Sequence, residues 1–365
     1  MILSLYIVRR FLAMVARVLL VFAGIMLLID MIDQLRRFSS SDIGIAEAGR
    51  LALMNVPESL YRVLPLILIM ASIALFLGLA RSSELVVVRA AGRSGLRFLA
   101  APVIAALIFG MLVVGVVNPI VAATIKEYAK LRAGYGAGSG SVLSVADTGL
   151  WLRQGGADGQ TVIQAARSNP DGTQLFEVTF LTFDAAGVPL ARVEAARATL
   201  EPGAWVMEGS KRWDLTDPNP ELEAVEDADG ARLVSDLTVE RIRDSFGEPA
   251  AIPFWGLPRY IAGLERAGFS ARAYRLWFQM ELAQPLLMAA MVLVAAGFTM
   301  RHTRAGKTGT MVLFAMLAGF ALFFLRNFAQ SLGTNGQIPI VLAAWSPPLA
   351  AVMMAMGLLL HLEDG

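Results

Sequence analysis

The chain has 365 residues, 56% of them hydrophobic and 17% charged, with a mean hydropathy of +0.60. A soluble core cannot hide that much apolar surface, and a formal net charge of +1 gives the chain no general attraction to nucleic acid. There is no cysteine, which excludes disulfides and thiolate metal sites, and with only His302 and His361 present, chemistry built on histidine is disfavoured.

Taken in chain order, the first feature is an apolar run over 11–32. It is close to the roughly 20 residues that carry a helix across a bilayer core. Arg9, Arg10 and Arg17 interrupt the approach to it. A secretory signal would place its basic residues first and follow them with an unbroken apolar core, so the N-terminus reads as a short amphipathic lead into a first membrane span. Further runs of span length lie at 63–80 and 98–118, and three more at 277–300, 310–328 and 341–361. The predicted fold class is a membrane α-helical protein with six transmembrane helices, three before and three after an inserted all-β domain of jelly-roll type.

Between the second and third runs stands Arg81-Ser82-Ser83-Glu84-Leu85-Val86-Val87-Val88-Arg89-Ala90-Ala91-Gly92. Ser82 or Ser83 can cap a short helix, Glu84 suits its positive end, and Gly92 suits its stop. The product, over about 81–92, is a small helix with an apolar face of Leu85, Val86 and Val88. Two readings stand for it: an interfacial helix resting on lipid, or a knob that fits a groove on a motor subunit.

The polar block, 134–250, carries a β pattern. Gly134 to Ser141 is a flexible entry. Gln174 to Asp184, QLFEVTFLTFD, is rich in β-branched and aromatic residues, and strict alternation would place Phe176, Val178 and Phe180 on one face and Leu175, Thr179 and Leu181 on the other. ARVEAARATL and AWVMEGSKRWDL flank Glu201-Pro202-Gly203 and predict a hairpin. Turn signals recur at strand-length intervals, as in a sandwich or jelly roll. Pro249, Pro253 and Pro258 mark the exit, and the stretch from Pro258 to Trp277 predicts a short surface helix that leads into the fourth span, so 251–365 holds a connecting helix and spans four to six.

Gly306-Lys307-Thr308 imitates the end of a phosphate-cradling loop, but Arg301 occupies the place of the first glycine and no strand precedes it, so it reads as a basic turn. The chain offers no nucleotide site, no metal set and no cofactor site of its own. Glu281, in the fourth span, is the single lead for an intramembrane enzyme. Lys and Arg in short loops set orientation. Arg9 and Arg10, then Arg81, Arg89, Arg93 and Arg97, then Arg301, Arg304 and Lys307 share one side, which is read as the cytoplasm. Arg36, Arg37, Arg50 and Arg62 argue the other way. The expected topology has both termini cytoplasmic and 134–250 outside.

RSSELVVVRAAG, preceded by VPESLYRVLPLILIMASIALFLGLA, resembles the most recognisable stretch of the lipopolysaccharide-export permeases, the LptF/LptG family. Asp33-Gln34-Leu35, Gly149-Leu150-Trp151 and Ala283-Gln284-Pro285-Leu286 are similar to the LptG branch in particular. The resemblance covers nearly the whole chain, including the three-plus-three layout.

The resemblance implies a transport subunit of a bacterial inner-membrane ABC transporter, without an ATPase site of its own. Its implied partners are an LptB-type ATPase dimer, a second LptF/LptG-type permease and an LptC-type bitopic protein whose β-jelly roll continues a periplasmic bridge for lipopolysaccharide. Glu84, Leu85 and Arg89 would then couple to the ATPase. Lipid A carries phosphates above acyl chains, so its cavity needs basic residues at the outer interface. Arg36, Arg37, Lys126, Lys130 and Arg132 are the expected phosphate contacts, the last three read as one helical face, with Arg326 in the fifth span as a further candidate. Each of these could also be an ordinary snorkelling charge. LptG relatives often carry lysine about three residues before the Asp-Gln pair, where this chain has Asp30. The rival reading is a structural or sensory membrane protein whose β domain binds a ligand without transporting it.

Overall fold

The structure is a computed structural model of the full chain. It describes residues 2–37, 44–82, 84, 95–134, 143–146, 149–156, 159–169, 171–222, 224–227, 230–235, 237–238, 242, 247–300 and 308–363. Two compact units emerge, one made of residues 1–135, 250–255 and 275–365, the other of 136–249 and 256–274.

The first unit is helical, and among the described residues six of its helices are long and apolar enough to cross a membrane. α1 spans Ile2–Arg37 and α2 spans Ile45–Arg81. α3 runs through Gly95–Leu112, a π-helical turn at Val113–Val117, and Asn118–Gly134. The predicted lead before 11 is part of α1 without a break. The outer connection expected between the first two spans is largely helix too, because α2 continues through Pro57 and Pro65. A buried helix tolerates proline where neighbours re-satisfy the freed backbone groups.

The β elements follow: β1 Leu143–Ala146, β2 Gly149–Gly156, β3 Gly159–Ser168, β4 Gln174–Asp184, β5 Pro189–Glu201, β6 Ala204–Asp214, β7 Val225–Asp227 and β8 Ala231–Val234. After them come α4 Leu257–Arg266, α5 Arg272–Thr299, α6 Thr308–Thr334 and α7 Ile340–Glu363. The single surface helix expected from Pro258 to Trp277 is two helices, because Gly268, at φ 88, turns the chain after α4. That conformation suits glycine alone.

α5 is the most buried span and α1 the least. Small residues set the close approaches, as in membrane bundles generally. A Cβ on Gly110 would stand 2.5 Å from the Pro285 backbone, and one on Gly319 would stand 2.7 Å from the Ile69 side chain. Gly110→Val should therefore force α3 and α5 apart at a cost of roughly 1–3 kcal/mol. A lowered thermal midpoint of the detergent-solubilised protein would register it, and an unchanged midpoint would show that the contact yields.

The eight strands form one antiparallel sheet in which order follows the chain from β1 to β7, with β8 also paired to β6. The hairpin at Pro202-Gly203 forms, with Glu201 opposite Ala204 and Gly203 at φ 84. Strict alternation fails within β4. Leu175, Val178 and Phe180 are buried together, while Phe176 carries Arg197 over its ring at 5.5 Å. The cause is Glu177, which adopts φ 53 and shifts the phase by one residue.

The same slip crosses four strands. Buried positions step by three from Ala165 to Ser168, Leu175 to Val178, Ala195 to Ala198 and Met207 to Ser210. The skipped residues Ala166, Glu177, Ala196 and Gly209 lie at one level, bracketed by regular pairs on both sides. Gly209 has φ 60. This line is a crease that lets both halves of each strand bury one set of side chains, which a flat pleat forbids. Phe180 and Trp205 meet in the interior with ring centroids 6.2 Å apart.

Candidate functional site

The segment expected to form the small helix after α2 lies outside the described residues except for Arg81, Ser82 and Glu84; Leu85 and Arg89 are among those outside. Glu84 is held from two sides. Arg10 Nη1 on α1 donates to Glu84 Oε1 at 2.7 Å, and Ser82 Oγ donates to the same oxygen at 2.8 Å. The same Arg10 nitrogen donates to the Tyr6 hydroxyl at 2.8 Å. Partial burial pulls the Glu84 carboxyl up, but the hydrogen bonds from Arg10 and Ser82 outweigh it and hold the group below the usual carboxylate range. A carboxyl with a lowered pKa has its link intact at neutral pH and loses it as pH falls through the lowered value. Arg10 was visible in the sequence only as an orienting charge.

The opposite end of α1 lies beside α3. Gln34 Nε2, on a buried side chain, donates to the Tyr128 hydroxyl at 2.9 Å. That bond brings Arg36 and Arg37 to the same end of the bundle as Lys126, Lys130 and Arg132. Arg36, Arg37, Lys126 and Lys130 are exposed. Arg37 pairs with Asp33 at 2.8 Å, and Lys130 with Glu127 at 3.7 Å. Arg132 departs from the expected shared face. Two helical positions after Lys130 turn it about 200° away, and it is half-buried with Nε enclosed. Asp30 accepts from Ser59 of α2 at 3.4 Å, so its acid has a partner within the bundle.

Arg326 is set apart from those five. It belongs to a polar hub among α2, α3, α5 and α6. Its Nη2 donates to Gln284 Oε1 at 3.2 Å, which commits it to the inside of the helical unit. One turn before Gln284 on α5, Glu281 accepts a short hydrogen bond from the Tyr61 hydroxyl of α2. Asn118 Nδ2 on α3 donates to that hydroxyl at 3.4 Å. Glu281, Gln284 and Asn118 are each at most 2% exposed. Glu281 Oε1 and, one turn earlier, Trp277 Nε1 are enclosed without a hydrogen-bond partner among the described residues. Charge and amide groups at this depth are costly unless they satisfy one another, so the cluster fixes a single mutual arrangement of four spans. Sequence reasoning found Arg326 and Glu281 separately and missed Tyr61 and Asn118. The available signal was the position of Asn118 as an isolated amide in an apolar run; Tyr61, between Ser59 and Arg62, offered none.

A family profile for the lipopolysaccharide export system permease LptF/LptG matches residues 5–361. The chain is 22% identical over 374 residues to the lipopolysaccharide export system permease protein LptG of Haemophilus influenzae, covering 98% of each chain. It is 24% identical over 339 residues to the protein of the same name from Escherichia coli K12, covering 92% of this chain and 91% of that one.

Proposed function

Because the chain belongs to the lipopolysaccharide export system permease family LptF/LptG, we propose that it is the transmembrane half of an ATP-driven extractor of lipopolysaccharide. In this reading it sits in the bacterial inner membrane with both termini cytoplasmic and its sheet periplasmic. An LptB-type ATPase dimer supplies the energy through the segment 81–92, with Glu84, Leu85 and Arg89 at the contact. A second LptF/LptG-type permease completes the membrane cavity. An LptC-type protein extends the sheet as a bridge that shields acyl chains from water.

The observation that carries the reading is the match over 5–361, which takes in all six helices and the inserted sheet together. The Arg10–Glu84 bond supports the topology, since it joins the start of α1 to the segment after α2 at one end of the bundle. Arg36, Arg37, Lys126 and Lys130 gather at the other end, where lipid phosphates would lie; Arg132 stands behind them and Arg326 serves the hub. A cytoplasmic element joined to two spans can pass closure of an ATPase pair to the bundle, provided the bundle has two discrete packings.

Affinity-tagged chain, expressed from its native locus and purified in mild detergent, is expected to bring down an ATPase and a second permease in stoichiometric amounts. Reconstituted in liposomes, that complex should release lipopolysaccharide only with ATP. Recovery of the chain without either protein, with ligand bound to its β unit, would replace the transporter by a non-transporting sensor or structural protein.

A further inference from the structure

The third span changes pitch at one place only among the described residues, the π-turn Val113–Val117. Single π-turns displace backbone carbonyls from the regular ladder and occur frequently at functional sites. Here Gly115 O accepts the indole N–H of Trp255 at 2.9 Å. One residue beyond the turn, Asn118 Oδ1 accepts the backbone N–H of Phe254 at 2.8 Å. The Phe254 ring stacks on Phe278 of α5 at 5.3 Å and 15°, and meets the Trp255 ring edge-on at 5.1 Å.

The position of these contacts along the chain gives them meaning. The chain leaves the helical unit directly after Trp255 and re-enters it at Arg275, three residues before Phe278. The chain is therefore fixed to the π-turn region of α3 just before the 256–274 segment, and Phe278, just after that segment, stacks on Phe254. Asn118 uses its other end as well: Nδ2 reaches Tyr61 of α2, which in turn donates to Glu281 of α5. A continuous line of hydrogen bonds thus runs from α2, whose far end enters the 81–92 segment, through α3 to the backbone of Phe254.

Resting on the transport reading, we infer that Asn118 and Trp255 are positioning residues that clip the exit from the β unit to the π-turn of α3, so that displacement of α2 and α3 is delivered to the β unit. Without the clip, residues 250–255 would act as a slack linker and absorb that displacement. The amide of Asn118 suits the task because one side chain must accept from a backbone N–H and donate to a phenol at the same time. Trp255 is 69% exposed, so an alternative role as an interfacial aromatic anchor must be separated from its role as a donor.

Trp255→Phe makes that separation, since it keeps an aromatic anchor and removes the N–H. The test uses the purified full complex in liposomes, with a photocrosslinking residue at Phe180 in the β interior to report lipopolysaccharide arrival and phosphate release to report ATP hydrolysis. Loss of one such hydrogen bond corresponds to about a fivefold change. Trp255→Phe and Asn118→Leu are expected to lower arrival at Phe180 about fivefold or more, on that scale, with hydrolysis and subunit composition unchanged. Asn118→Asp, which keeps the acceptor for Phe254, should retain more arrival than Asn118→Leu. Normal arrival in both Trp255→Phe and Asn118→Leu overturns the inference. Should wild-type complex show no ATP-dependent arrival, the transport reading itself fails. Amide exchange over 250–255 then decides the clip alone: acceleration in both variants keeps it, and unchanged exchange removes it.

Discussion

Glu84→Ala is expected to cut ATP-driven release of lipopolysaccharide at least about tenfold, a change that corresponds to some 1.4 kcal/mol. The magnitude matters because Glu84 also has a partner in its own chain. Its ion pair with Arg10 has both side chains about a third exposed, at 36% and 33%, and exposed pairs of this kind contribute about 0–1 kcal/mol. Loss of that pair alone cannot account for a tenfold defect. Arg10→Ala, which leaves the carboxylate in place, should accordingly be the milder change. The exchange Arg10→Glu with Glu84→Arg restores the intrachain pair while inverting the charge shown to a partner, and it should remain defective in both transport and ATPase retention. Measured side by side in liposomes, recovery of transport by the exchange would assign Glu84 to the internal pair and remove it from the proposed contact with an ATPase.

The six spans were legible in the sequence because hydrophobic length is a direct consequence of bilayer thickness. Their limits were not. α2 begins near Ile45 rather than at 63, since the stretch around Asn55, Glu58 and Arg62 is too polar to read as span yet is helical beside α1. The β hairpin was legible because Pro202-Gly203 dictates its own turn. The faces of β4 were misjudged at Leu175 and Phe176, because one residue with positive φ inverts every side chain beyond it and nothing in QLFEVTFLTFD announces that Glu177 will adopt it. The crease repeats at Ala166, Ala196 and Gly209, and of these only the glycine carried a hint. Among the basic residues, a spacing of four correctly paired Lys126 with Lys130, whereas Arg132 was grouped with them against the helical period. The polar hub was half legible: the cost of Arg326 and Glu281 in an apolar run is visible in one dimension, but their mediators Gln284, Tyr61 and Asn118 come from three different helices and meet only in the fold.

That hub is expected to show the largest stability effect of any single change in the helical unit. Glu281→Leu removes the acceptor of the Tyr61 hydroxyl and the carboxyl group that acts electrostatically on Arg326, leaving a donor unpaired and the cation with only the neutral Gln284 amide as its hydrogen-bond partner among the described residues, in a low-dielectric setting. Leaving a buried donor unsatisfied costs about 1–3 kcal/mol, and more where a charged group loses compensation as well. Glu281→Gln keeps an oxygen for Tyr61 and should cost less, while Tyr61→Phe removes the bond to Glu281 and the one from Asn118 and should cost about 1–3 kcal/mol. The decisive comparison is the pair Glu281→Leu with Arg326→Leu, because deleting both charges removes the uncompensated group that each single variant creates. The double variant should therefore lose less than the sum of the two singles, by about 0.5–3 kcal/mol of coupling. Reversible unfolding of the purified chain in mixed micelles reads all five variants on one scale. Simple additivity would show that Glu281 and Arg326 act independently, and the four spans would then owe their mutual arrangement to apolar packing such as Gly110 against Pro285 and Gly319 against Ile69.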